Sequence, residues 1–169
     1  SWNVNRTYKN FSKFSNGKGL SAEDVAALIL HKAGIYDVRI ERIRGSLTDH
    51  YSPNEKVLRL SDTVYGSTSV AAIGVAAHEC GHAIQHHQGY FPLKLRAASV
   101  PIANIGSKLS WPIILIGLIF GWTGIAQIGV YLFTFVVFFQ LITLPVEFNA
   151  SSRALHVLEE RKLLIGGEL

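Results

Sequence analysis

The residues whose types and spacing could do chemistry stand together in His78-Glu79-Cys80-Gly81-His82, an HExxH motif inside the run VAAIGVAAHECGHAIQHHQG. Four residues turn a helix through about 400°, so the two imidazoles share one face, a single turn apart. Two nitrogens at that spacing can chelate one zinc ion, and Glu79, beside His78, can reach a water held on the same metal. A catalytic zinc site keeps one position for water, whereas a structural site fills it with a fourth protein ligand. The motif therefore asks for a third ligand from elsewhere in the chain.

Several side chains compete for that role. The metzincin pattern requires Gly and His three and six residues after the second histidine; Gln85 and Gln88 stand there, which excludes that class. His86 lies two turns beyond His78, about 12 Å along the axis. Helical side chains lean towards the N-terminus, so His78, His82 and His86 converge poorly on one ion. His86 and His87 read as solvated residues at the helix end, and Cys80, facing away from His78, as a small packing residue. Glu147 is the better candidate. It is the first charge after a long apolar run, in Leu144-Pro145-Val146-Glu147-Phe148-Asn149-Ala150. An acid at a membrane exit is costly unless it has a partner. The bland alternative is a solvated residue at a helix end. Glu159 and Glu160 belong to a charged run that reads as an exposed face.

The elements that position these residues come next. Ser69 can cap a helix that continues to His87 or Gln88, with Gly89 after it. Val70, Ala71, Ile73, Val75 and Ala76 suit a buried helix, and Gly81 leaves room beside the metal. Upstream, Ser21-Ala-Glu-Asp24 has the form of a capping box and opens a helix over Ala22–Ala33, closed by Gly34. Tyr36–Ile43 alternates like a strand, with Tyr36, Val38, Ile40 and Ile43 inward. Leu47–Tyr51 and Lys56–Leu60 flank a hairpin turn at Ser52-Pro53-Asn54-Glu55. A small sheet follows from these three segments.

Downstream the chain changes character. Leu109 to Val146 is a run of 38 residues without Asp, Glu, Lys or Arg. One spanning helix needs about 20 such residues, so the run fits two short spans. Gly121-Trp122-Thr123-Gly124 makes a turn between spans near Asn104–Phe120 and Ile125–Leu144. Trp111, Trp122 and Tyr131 are candidate interfacial anchors. Two crossings return the chain to the side it left, and only then can Glu147 meet His78 and His82. Lys94, Arg96 and Lys108 precede the run, and Arg153, Arg161 and Lys162 follow it. Lys and Arg accumulate on cytoplasmic flanks, which puts the site on that side. The first twenty residues carry Arg6, Lys9, Lys13 and Lys18 and no acid, a segment suited to anionic lipid.

Composition narrows the function classes. The chain is 49% apolar and 17% charged over 169 residues, which excludes a disordered chain and exceeds an ordinary soluble domain. The net charge of +4 points to a membrane surface. A nucleic-acid partner is excluded, since no basic patch with interleaved aromatics belongs to a known binding module. The single cysteine rules out an intrachain disulfide framework. A transporter finds little to work with in two spans without internal charge. A zinc-holding membrane scaffold that does no hydrolysis is the main alternative to an enzyme, and the intact Glu79 argues against it.

HECGHAIQH, preceded by AAIGVAA and followed by LPVEFNASSRA, resembles the YugP-like neutral zinc metallopeptidases of bacterial membranes, in the broad gluzincin group. LTDHYSP, GYFPLKLR and VPIANIGSKLSWP extend the resemblance over nearly the whole chain. It implies an α+β fold: a zincin-like core with a small sheet and the HExxH helix, joined to a transmembrane helical hairpin. The expected organisation is a basic juxtamembrane segment over 1–20, the core over 21–100, the hairpin over 101–146, and a closing helix over 147–169. It further implies another span before Ser1 and more chain after Leu169. The implied activity is peptide-bond hydrolysis at the face of a bacterial cell membrane. One zinc ion would sit on His78, His82 and Glu147, with Glu79 as general base and a peptide or membrane protein as substrate. Where many gluzincins place an Asp four residues after the ligand Glu, this chain has Ser151. His50, Tyr51, Tyr65 and Arg153 are candidates for stabilising an oxyanion. Of these His50, beside Tyr51 at the hairpin, is the favoured one, against an ordinary loop histidine. A substrate strand could add to the sheet edge.

Overall fold

A computed structural model of the chain describes residues 2–160; Ser1 and 161–169, including the end of the expected closing helix, lie outside the described residues. Two compact units divide the chain, one of Ser1–Gly89 with Asn149–Leu169 and one of Tyr90–Phe148. The first unit is mixed α and β, and the second is two apolar helices.

The first unit opens with helix α1, Trp2–Phe11, in the segment expected to be a basic juxtamembrane stretch. Its cations Arg6 and Lys9 are exposed, yet the Tyr8 hydroxyl donates to the Thr63 carbonyl at 2.7 Å. Asn16 is buried and ties the segment down: its amide donates to Leu20 and Thr68 carbonyls and its carbonyl accepts from the Lys18 and Leu20 N–H groups. Helix α2, Ala22–Lys32, starts where its capping sequence requires, with the Ser21 hydroxyl accepting the Asp24 N–H at 3.3 Å. Gly34 turns the chain out at φ +73°, a conformation that costs glycine little.

Strands β1 (Arg39–Ile43), β2 (His50–Ser52) and β3 (Val57–Ser61) form one sheet in the order β1-β3-β2. The expected hairpin is present as β2 antiparallel to β3, with Tyr51 opposite Leu58. Strand β1 runs parallel to β3, with Ile40 opposite Leu58. Its length was overestimated. Tyr36 is 76% exposed, and the buried side chain at this entry is Ile35. The left-handed turn at Gly34 precedes the strand, so the alternation that starts at Arg39 does not extend back to Tyr36.

Helix α3, Val70–His87, lies against α2 and the sheet. Ser69 caps it, accepting the Ala72 N–H at 3.2 Å. Val25, Ile29, Leu30, Leu58, Leu60 and Ile73 form the core with Ala154 and Leu158 from the end of the chain. Burial of such side chains contributes about 1.5–3 kcal/mol each.

The unit closes at Gly89, so residues 91–100, which sequence reading keeps with the core, begin the long helix α4 instead. Helix α4 is Phe91–Ile119 and α5 is Thr123–Glu160, each long and apolar enough to cross a membrane. Gly121, at φ +67°, makes the expected turn between them. Small buried residues of α4 (Ser99, Ala103, Gly106, Ser110, Gly117) recur at heptad-like spacing and let the helices approach. A side-chain carbon at Gly117 would meet the Ala126 backbone at 2.4 Å, and one at Gly106 would meet Val136 at 2.6 Å. Most large side chains point outwards, among them Leu118, Ile128, Phe135 and Phe138. An apolar exterior of that extent suits lipid rather than water. Lys108 also stands on the exposed side of α4. Its four-carbon stem can carry the ammonium towards the nearer polar surface.

Candidate metal centre

His78 and His82 project from one face of α3 with ligand atoms within 4.8 Å of each other. Their rings meet edge to face, with centroids 4.8 Å apart. Each ring is held by its Nδ1. His78 Nδ1 lies 3.1 Å from the Ser151 hydroxyl, and His82 Nδ1 lies 3.0 Å from Gln85 Oε1. With Nδ1–H donating to these oxygens, Nε2 would be the nitrogen that each histidine turns to a metal.

The oxygens are themselves anchored. Gln85 is fully buried, and its amide donates to Asn149 Oδ1 at 3.0 Å. The same oxygen accepts Arg153 Nε at 2.7 Å, and Arg153 also donates to Gln88. A chain of polar contacts thus runs from His82 through Gln85 and Asn149 to Arg153. It joins α3 to the stretch of α5 within the first unit. Helix contact is close here: a side-chain carbon on Gly81 would meet the Ala150 carbonyl at 2.5 Å. The room that Gly81 provides is therefore taken by Ala150, not kept beside a metal.

Glu79 faces the sheet. Its Oε2 accepts the Tyr51 N–H from strand β2 at 3.0 Å. Burial raises the Glu79 carboxyl above the ordinary carboxylate range, against lowering by His82, His78 and the Tyr51 N–H. Strand β2 is an edge of the sheet. The Tyr51 N–H therefore points away from β3 and lies on that edge, beside Glu79.

The remaining sequence candidates are placed as follows. His86 is not a solvated helix-end residue: it is half-buried, and its Nδ1 lies 2.8 Å from the Tyr51 hydroxyl. Burial and the nearby Asp37 push the Tyr51 phenol up to about 12. His87 is exposed, as expected. Cys80 is buried with its thiol near the Ala26 carbonyl, a packing residue as read. His50 Nδ1 lies 2.9 Å from the Thr48 carbonyl in its own loop. Tyr65 packs at the border of the core. Glu147 lies at the end of the second unit, where Arg96 Nη2 is 2.8 Å from its Oε1. Sequence reading missed Gln85 and Asn149 as partners of the site. The available signal was Gln85 itself, a polar residue three places after His82 on a helix otherwise bound for the core.

The residues present fit zinc, since two imidazoles one helical turn apart and oriented through Nδ1 are borderline donors suited to that ion. Among known families, one described as "putative neutral zinc metallopeptidase" matches residues 1–169. The curated "Putative membrane protease YugP" of Bacillus subtilis (strain 168) is 44% identical over 155 residues, which cover 92% of this chain and 69% of that protein. No solved structure is significantly similar. A chain that carries an anchored HExxH pair and two membrane-length helices, matched over its whole length by one family, belongs to the neutral zinc metallopeptidase family.

Proposed function

We propose that the chain is a zincin-like, membrane-bound endopeptidase of the gluzincin type, with His78, His82 and Glu147 holding one zinc ion and Glu79 acting as general base. The observation that carries this reading is the pair of histidines oriented through Nδ1, with Glu79 beside them on the sheet edge. Helix geometry supports Glu147. Ser151 meets His78, and Glu147 precedes Ser151 by four residues on the same uninterrupted helix. Residues at that spacing share one face, with Cβ atoms about 5–6 Å apart.

Zinc, when bound, supplies Lewis acidity that polarises a carbonyl and acidifies water. Glu79 takes the proton of the attacking water on its carboxylate and delivers it to the leaving amine. A carboxylate raised by burial is the stronger base and accepts that proton more readily. A peptide substrate pairs with the outer edge of β2, where main-chain hydrogen bonds tolerate varied sequences. His50, one residue before Tyr51 on that strand, is the proposed donor to the oxyanion. Tyr51 and Arg153 already engage His86, Asn149 and Gln88 through their side chains. The cationic flanks Lys94, Arg96, Lys108 and Arg153 support an active site on the cytoplasmic face of a bacterial membrane.

The test is cleavage of fluorescent casein by purified protein in detergent, with zinc content measured beside it. Glu79→Gln should keep about one zinc per chain and lose about 10²–10⁴ in rate. Cleavage that persists in this variant overturns the role of Glu79. Full zinc content without any wild-type cleavage would favour a scaffold.

A further inference from the structure

Arg96 lies on α4 and Glu147 on α5, and Nη2 of the arginine is 2.8 Å from Oε1 of the glutamate. Their side chains are 32% and 35% exposed, so the pair is partly withdrawn from water. A polar cleft of about 150 Å³ surrounds it, lined also by Ser99, Asn104, Gln140 and Thr143. These groups line one cleft on two helices whose exposed side chains are otherwise largely apolar. An exposed ion pair contributes little to stability. A planar guanidinium on one carboxylate oxygen does something further: it fixes orientation as well as charge.

We propose that Arg96 is a positioning residue for Glu147, holding Oε1 so that the carboxylate is set for single-oxygen ligation before zinc arrives. This rests on the reading of Glu147 as the third ligand. The terminal torsion of a glutamate is broad, so an unheld carboxylate samples many orientations. Ligating carboxylates are themselves hydrogen-bonded, and loss of such a partner typically weakens metal binding about 10–100-fold. The partner here comes from the other helix of the hairpin. Packing of α4 on α5, through contacts such as Gly106 on Val136, therefore sets the ligand.

Zinc affinity of the full chain in detergent, measured by competition with a chromophoric chelator, tests this. Arg96→Met should raise the zinc Kd about 10–100-fold. Arg96→Lys should recover part of the loss, since it keeps the charge without the fork. Arg96→Met combined with Glu147→Ala should bind no more weakly than Glu147→Ala alone. Wild-type affinity in Arg96→Met, with weak binding in Glu147→Ala, overturns the role of Arg96 and leaves the ligand reading standing. Wild-type affinity in Glu147→Ala overturns both. Thermal unfolding of the metal-free proteins separates a merely structural pair: a lowered midpoint in Arg96→Met with an unchanged Kd overturns the proposal. Arg96→Gln replaces the Met variant if that protein does not fold.

Discussion

The Ser151 hydroxyl lies 3.1 Å from Nδ1 of His78, and a hydroxyl there can hold the ring without adding a charge. Removing it should free the imidazole to rotate. Ser151→Ala should weaken zinc binding about tenfold, whereas Ser151→Asp should preserve or tighten it, because an ionised acceptor makes the stronger hydrogen bond. Chelator competition on the two variants checks this; equal losses in both would show that the hydroxyl does not orient His78. Cys80 permits a second prediction. Its thiol is fully buried, and burial with the adjacent Glu79 raises its pKa, so the nucleophilic thiolate is suppressed. A thiol reagent should leave the folded protein unmodified for hours and react at once in denaturant; rapid labelling of the folded protein would contradict the burial. At this scale the pairing of His78 with His82 was legible because their spacing is local. Gln85 and Asn149 were not, because their bond joins residues 64 apart and sequence offers no sign of which distant amide faces which.

Two glycines on α3 separate what the helix needs for itself from what it needs for its neighbour. A side-chain carbon at Gly74 meets nothing within 4 Å, while one at Gly81 meets the Ala150 carbonyl at 2.5 Å. Gly74→Ala should therefore stabilise the protein by about 0.5–1 kcal/mol through helix propensity alone. Gly81→Ala should destabilise it by about 1–3 kcal/mol and weaken zinc binding, since α5 must move away and loosen Ser151 and Asn149. Chemical denaturation of both variants measures the contrast; similar stabilities would mean that the helices have room to spare. Helix starts were readable because Ser21 and Ser69 cap as their side chains dictate. Two features were not. The parallel partner of β1 is set by contacts far apart in sequence, and the length of α5 runs against a local rule. Pro145 lacks an N–H and crowds the carbonyl of Leu141, which suggests a boundary. The helix nevertheless runs unbroken from Thr123 to Glu160, as proline is tolerated in apolar helices whose neighbours re-satisfy the backbone. That continuity keeps Glu147 in phase with Ser151.

On the scale of the whole molecule, the proposed site requires an even number of bilayer crossings between the two histidines and the distant glutamate. The apolar run and the turn at Gly121 made two long apolar helices legible, and the outward-facing side chains of α4 and α5 suit lipid around them. The proposed orientation rests on charge: Lys94 and Arg96 stand in the first turns of α4, and the turn between the helices carries no charge. Cysteine labelling in intact cells can read this directly, because the native Cys80 is buried and silent. Thr123→Cys, exposed at the turn, should react with a membrane-impermeant maleimide added outside. Asn54→Cys, exposed in the β2–β3 turn, should react only after the cells are opened. Labelling of both from outside, or of both only after lysis, would mean that the hairpin does not cross. The histidines and Glu147 would then share a side without any crossing between them. Asn54 labelled from outside and Thr123 only from within would keep the hairpin and reverse it, moving the active site to the exterior against the charge asymmetry.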